Sequence, residues 1–283
     1  MTEVRHVPPV PAVLRLVQMV VLGRWRATGE DLYREVVRII EAARGQEILV
    51  SGCGEGTTAE WLANKTGAVV TGVDPDAGAI ERAESRARAL PAPLALSYQQ
   101  APLDDLPHET GVFDSAVGEP VIAASADPER AIAELARVTK PMGNVVLLQL
   151  TWSSELSATA RELLVERLGL RPRLLVEWKQ MLRDAGVVDI QVQDWTSGAP
   201  GTAARASGAS ETARRAGAAR LSWQHKVQIA GSAWRQWGWR AGALRAGRGA
   251  VERESTLLRE LSRERAIGFQ LIKGVKWPHA KAS

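Results

Sequence analysis

Glu47-Ile-Leu-Val-Ser51 is a short run of β-forming residues that stops at Gly52-Cys-Gly-Glu-Gly56 and gives way to a helical pattern over Thr57 to Lys65. No other feature constrains the chain as much, because an apolar strand that breaks into a tight glycine loop and then a helix opens a strand-helix-strand unit. The alternation continues: Ala68 to Val73 reads as a second strand, Asp76 to Ala89 as a helix, Leu94 to Gln99 as a third strand and Phe113 to Val117 as a fourth. Asp127-Pro128 supplies an N-cap and a first-turn proline for a helix that carries Ile132, Leu135 and Val138 at core spacing. Pro141 to Gly143 is predicted to end it, and Asn144 to Leu150, almost wholly apolar, reads as a central fifth strand. Leu174 to Ala185 is amphipathic and leads through Gly186 into a sixth strand, Val188 to Trp195, while Ala266 to Trp277 reads as a last, antiparallel strand. The predicted fold is α/β: a doubly wound, mostly parallel seven-stranded sheet with an N-terminal cap helix and a C-terminal helical insertion before the last strand. Its expected parts are cap helices over 1–45, a core over 46–195, a linker and helical insertion over 196–265, and the last strand and tail over 266–283.

A chain of 283 residues suits one elaborated domain better than two compact ones. The single cysteine, Cys53, excludes an internal disulfide and any zinc site built from several thiolates, and no metal ligand set is assigned. The longest apolar stretch, Val10 to Leu22, is interrupted by Arg15 and lacks a small-residue cleavage site, so a membrane span and a secretory signal are not expected. The expected location is the cytoplasm, with membrane association held open by the C-terminal part. There, residues 201–283 hold 16 Lys and Arg against 5 Asp and Glu, whereas residues 1–200 hold 20 against 27. Five of the ten tryptophans also lie in that basic part.

Four segments resemble the class I, Rossmann-like methyltransferases that use S-adenosylmethionine, especially those that modify small molecules. Ile48-Leu-Val-Ser-Gly-Cys-Gly-Glu-Gly56 is similar to the family's cofactor loop, and Gly72-Val-Asp-Pro-Asp76 to the turn whose acid holds the ribose. Phe113-Asp-Ser-Ala-Val117 resembles the fourth-strand signature, and Ala133 to Gly143 the helix and turn before the fifth strand. The resemblance implies an S-adenosylmethionine site formed by Ser51, Gly52, Cys53, Gly54, Gly56, Asp74, Pro75, Leu103, Asp104 and Gly118. The residues themselves point the same way. Glycines let the backbone approach a ligand, the helix after them offers N–H groups to a carboxylate, and Asp74 can accept from two hydroxyls at the sheet crevice. The spacing is GxGxG, without the GxGxxG of dinucleotide enzymes or the lysine of a phosphate loop.

The chain also departs from the family. Val50 stands where many members carry an acid in the first strand, Pro102 where they carry an adenine-contacting acid, and Pro141-Met-Gly143 replaces the usual Pro-Gly-Gly. Asp104 or Asp105 is the candidate substitute for the adenine contact, with the backbone near Leu103 framing the ring. These departures support an alternative reading: a non-catalytic or degenerate cofactor-binding module whose basic insert binds a partner, a membrane surface or RNA.

A sulfonium is already an activated methyl donor, and alignment of reactants alone supplies roughly 7 to 11 kcal/mol of barrier lowering, so no catalytic base is required and none is assigned. His108, read as near the cofactor edge, is either a base for a hydroxyl acceptor or a solvated loop residue. Glu119, after the fourth strand, is either a substrate-orienting acid or a loop cap. The segment after that strand, Gly118-Glu-Pro120, matches neither the tetrad for a flipped base amine nor the Pro-Cys of cytosine methylation. The paired-glutamate loop of protein arginine methylation is likewise missing. A small or lipophilic acceptor leads. Trp223, Val227, Ala230, Trp234, Trp237, Ala241 and Leu244 share one helical face, which suits packing on the core or in a homodimer, or contact with an anionic membrane surface. Nucleic acid is not an expected partner, since stripe tryptophans are poor separate stacking platforms.

Overall fold

A computed structural model of the chain describes residues 30–90, 93–152, 156–159, 161–162, 165, 171–195 and 267–278. The elements in chain order are α1 (Glu30–Ile39), β1 (Glu47–Ser51), α2 (Thr57–Thr66), β2 (Val69–Asp74), α3 (Ala77–Arg88), β3 (Leu96–Gln100), β4 (Phe113–Gly118), a 3-10 turn (Pro120–Ala124), α4 (Pro128–Val138), β5 (Thr139–Trp152), α5 (Leu175–Asp184), β6 (Val187–Asp194) and β7 (Ile267–Lys276).

The seven strands form one sheet in the order β3-β2-β1-β4-β5-β7-β6. β1 to β5 pair in parallel where they adjoin, and β7 is inserted antiparallel between β5 and β6. Val145 to Leu148 of β5 are fully buried, as the near-continuous apolar run requires of a strand covered on both faces. α2 and α3 pack beside β2 and β3, α4 lies on β4 and β5, and α5 packs on α4 and β6. Caps set the helix starts: the Asp76 carboxylate accepts the Gly78 N–H at 3.0 Å, and that of Asp127 the Arg130 N–H at 2.9 Å.

Strand order reverses at β1. β2 lies on one side of it and β4 on the other, which opens a crevice at the carboxyl ends of β1 and β4, the usual ligand position in such sheets. β6 ends at Asp194 and β7 begins at Ile267, paired with Trp152 at the carboxyl end of β5. The chain therefore leaves the described core after Trp195 and re-enters it at this same sheet edge.

The end of α4 differs from expectation. The helix stops at Val138 and β5 starts at once with Thr139, so Lys140 to Gly143 lie inside a bulged strand instead of forming a separate turn. Thr139 pairs with Phe113 and Asn144 with Ser115, leaving four residues opposite Asp114 alone. Met142 takes a positive φ of 65° there. Residues 1–29 of the cap segment expected over 1–45, and the tryptophan stripe from Trp223 to Leu244, lie outside the described residues. The described part of the N-terminal segment, α1, packs on α2. No helix among the described residues is long and apolar enough to cross a membrane.

Candidate functional site

The loop between β1 and α2 lies against the end of β2. The Gly52 and Cys53 N–H groups both donate to the Val73 carbonyl, at 2.7 and 3.0 Å, and the Gly54 N–H donates to Asp74 Oδ2 at 2.8 Å. Asp74 Oδ1 accepts the Asp76 N–H at 2.9 Å, so this buried carboxylate ties the glycine loop to the start of the next turn. A carboxylate offers about four acceptor positions, which lets it take hydroxyl donors alongside backbone ones.

Two of the glycines are required by geometry. A Cβ on Gly52 (φ +78°) would stand 2.0 Å from Val121 Cγ1, and one on Gly56 (φ +76°) would stand 2.5 Å from the Tyr98 hydroxyl oxygen. Tyr98, from β3, thus fills the space beneath the loop and donates its hydroxyl to the Gly56 carbonyl at 3.3 Å. Gly56 is the N-cap of α2, and no side chain caps that helix end. First-turn N–H groups and the helix dipole make such an end favourable to an anion.

Ser51 and Gly118 close β1 and β4 as paired neighbours. Immediately after them, the Glu119 N–H donates to the Ser51 carbonyl at 2.9 Å. The Glu119 side chain is buried, and the Thr58 hydroxyl of α2 donates to its Oε1 at 2.7 Å. Burial pushes this carboxyl up to about 7, with the charge of Asp74 adding to the rise and the Thr58 bond opposing it. The Gln149 Nε2 of β5 donates to the Glu119 carbonyl at 2.9 Å and to that of Gly118 at 3.3 Å. Ser51 Oγ and Gln149 Oε1 are buried without a hydrogen-bond partner. Burial, then Asp74 and Glu119, hold the Cys53 thiol well above its ordinary range, so it stays neutral and is not a nucleophile.

Thus Ser51, Gly52, Cys53, Gly54, Gly56, Asp74 and Gly118 lie together at the carboxyl edge. Pro75 follows in the β2–α3 turn, where its carbonyl accepts Gln100 Nε2 at 3.3 Å. Leu103 and Asp104 lie in the turn after β3, which the Ala101 N–H ties to the Asp74 carbonyl at 3.2 Å; Leu103 is buried and Asp104 half-buried. His108 is placed otherwise than expected. Its ring meets Phe113, the first residue of β4, edge-on at 5.1 Å, and its carbonyl accepts Arg137 Nη1 at the end of α4. That is the amino edge of the sheet, the length of β4 away from Gly118. The sequence reading missed Thr58, Tyr98 and Gln149. Gln149 alone carries a signal, as an isolated amide in the run Val145 to Leu150.

The residues present fit an S-adenosyl amino acid: an uncapped helix start for its carboxylate, a buried carboxylate for its ribose hydroxyls, and further buried acceptors beside the glycine loop.

Comparison with known proteins agrees with this geometry. Residues 49–147 match the family model described as a methyltransferase domain. Over 119 residues the chain is 29% identical to methyltransferase GfsG of Streptomyces halstedii, covering 42% of this chain and 43% of that one. It is 32% identical over 131 residues to a 2-phytyl-1,4-naphtoquinone methyltransferase of Trichormus variabilis, covering 45% and 57%. The matched stretch therefore spans about half the length of these curated relatives. Among solved structures, a geranyl diphosphate C-methyltransferase from Streptomyces coelicolor A3(2), in complex with Mg2+, geranyl diphosphate and S-adenosyl-L-homocysteine, shares the fold. The TM-score is 0.62 at 14% identity, covering 87% of this chain and 77% of that one.

Proposed function

We propose that this chain, whose residues 49–147 match a methyltransferase domain, is a class I, S-adenosylmethionine-dependent methyltransferase that transfers a methyl group from that cofactor to a small, lipophilic molecule. The observation that carries the reading is the pairing of the Gly52–Gly56 loop with Asp74 through the Gly54 N–H, at the switch point of the sheet. In this reading α2 receives the methionine carboxylate at its uncapped start, and Asp74 receives the ribose hydroxyls. Ser51, Cys53, Pro75 and Gly118 form the backbone walls, with Leu103 and Asp104 beside the adenine. The bound cofactor supplies an electrophilic methyl carried on a sulfonium. The protein's share is alignment and exclusion of water, and neither Cys53, which is neutral and buried, nor His108, which is at the other edge, acts on the acceptor.

The lipophilic class is supported by two of the relatives, whose names specify a phytyl naphthoquinone and geranyl diphosphate. We read 1–45 and 196–265 as parts added to the 46–195 core, and both attachment points of the second part, at Trp195 and Ile267, lie on the ligand-binding edge. A basic, tryptophan-rich addition at that edge suits delivery of a lipophilic acceptor from an anionic membrane surface, and equally a homodimer contact. Incubation with methyl-labelled S-adenosylmethionine and a panel of lipophilic phenols, quinones and prenyl compounds tests the proposal. Label should appear in at least one organic-extractable product. Transfer confined to proteins or nucleic acids would overturn the small-molecule reading.

A further inference from the structure

The cofactor reading leaves one buried group beside the glycine loop unused. Glu119 is only 4% exposed, and among the described residues no cationic side chain pairs with it. Among the described residues the Thr58 hydroxyl is the one side-chain donor on its carboxyl group. A second buried carboxylate, Asp74, faces the same loop from β2, and the influence of both on Cys53 shows that the three share one neighbourhood. Burying an unpaired carboxylate is costly, and a second negative charge nearby raises the cost. A site of this kind is relieved by a cation.

The hydrogen-bonding groups around Glu119 specify the cation further. Gln149 Nε2 is bonded to the Glu119 carbonyl, so the amide oxygen of the same side chain, buried without a donor, belongs to this cluster. So does Ser51, whose carbonyl accepts the Glu119 N–H and whose buried Oγ also lacks a partner. The unmet need is for donors carrying positive charge. An ammonium group is three donors, no acceptor and one positive charge. The uncapped start of α2 stands next to this cluster through Thr58, so a carboxylate site and a cation site adjoin, as an amino-acid zwitterion requires.

We propose that Glu119, Gln149 and Ser51 form the receptor for the ammonium group of the cofactor's amino-acid end. This rests on the cofactor assignment above and makes cofactor capture proton-linked. In the free protein, burial keeps Glu119 largely protonated below about pH 7. The arriving ammonium favours the carboxylate, and the displaced proton goes to solvent. The other groups around Glu119 do not mask the effect: Cys53 is neutral, and α2, β1 and β5 contribute the uncharged Thr58, Ser51 and Gln149. Among the described residues Asp74 is the one other charged neighbour, and Asp74→Asn tests its share.

The test is calorimetric titration of the full chain with S-adenosylhomocysteine and its deaminated analogue at pH 6.0 to 7.5, in buffer pairs of different ionisation enthalpy. Wild-type protein should release close to one proton per cofactor at pH 6.0, falling toward zero at pH 7.5, and affinity should rise about tenfold over that range. Glu119→Gln should bind more weakly, with affinity independent of pH, and should bind the deaminated analogue as well as wild type does. Binding by wild type with no buffer-dependent heat would overturn the inference and leave the cofactor site standing, since Glu119 would then keep one protonation state through binding. That measurement needs no variant. Failure of wild type to bind either compound would overturn the cofactor reading and the inference with it.

Discussion

Glu119 shows how one side chain can oppose stability and serve a site. Its carboxyl ionises near 4.5 in the unfolded chain and at about 7 in the fold, so between those values the folded state holds the additional proton. Stability from this group is fully present below pH 4.5, declines as pH rises and is lost above 7. The magnitude is of order 3 kcal/mol. Glu119→Gln removes the buried charge. In the absence of cofactor it should therefore melt roughly 5 °C above wild type at pH 8 and lose that advantage at pH 5, as thermal unfolding at both values would show. An advantage of equal size at both pH values would mean that the gain comes from packing. At this scale the sequence was only partly legible. The glycines and Asp74 announce themselves by spacing, since each meets a backbone requirement that local sequence expresses. Glu119 was visible as a candidate, but its surroundings include Thr58 and Gln149, which come from two elements distant in sequence. His108 was misplaced because the loop from Ala101 to Val112 crosses from one sheet edge to the other, and nothing in its composition marks where along that path a residue stops.

Element against element, the tightest fit at the site is between the β1–α2 loop and the 3-10 turn Pro120–Ala124. Gly52 meets Val121 so closely that a methyl group has no room, and its φ of +78° disfavours any side chain. Gly52→Ala should cost about 2 to 4 kcal/mol, combining the left-handed backbone penalty with overpacking. Val121→Ala, by opening the space that the new methyl needs, should make the double variant more stable than the sum of the single changes by about 1 kcal/mol or more. Urea unfolding of the four proteins checks this, and strict additivity would mean that backbone strain alone sets the cost. Most elements were legible because their apolar periods are unmixed: near-continuous in β1 and β5, and at core spacing in α4. The boundary between α4 and β5 was not. Pro141 and Gly143 look like a stop, yet the helix ends three residues before Pro141, because Thr139 pairs with Phe113 and the proline and glycine are absorbed in a bulge.

For the whole molecule, the legible quantity was topology. Alternating strands and helices dictate a parallel sheet, the shared direction of its strands places the loops after β1, β2 and β4 at one edge, and an antiparallel last strand returns the chain from that edge. The acceptor was not legible, because an acceptor pocket is assembled from segments distant in sequence and no local pattern encodes its shape. The central claim is that the edge holds an S-adenosyl cofactor through Asp74. Titration of the purified chain with S-adenosylmethionine tests it most directly, with Asp74→Ala and a nicotinamide dinucleotide as controls. The account predicts saturable one-to-one binding, a loss of at least about tenfold in Asp74→Ala, and no binding of the dinucleotide. Folded wild-type protein that binds no S-adenosylmethionine, or Asp74→Ala that binds it as tightly as wild type, would contradict the account.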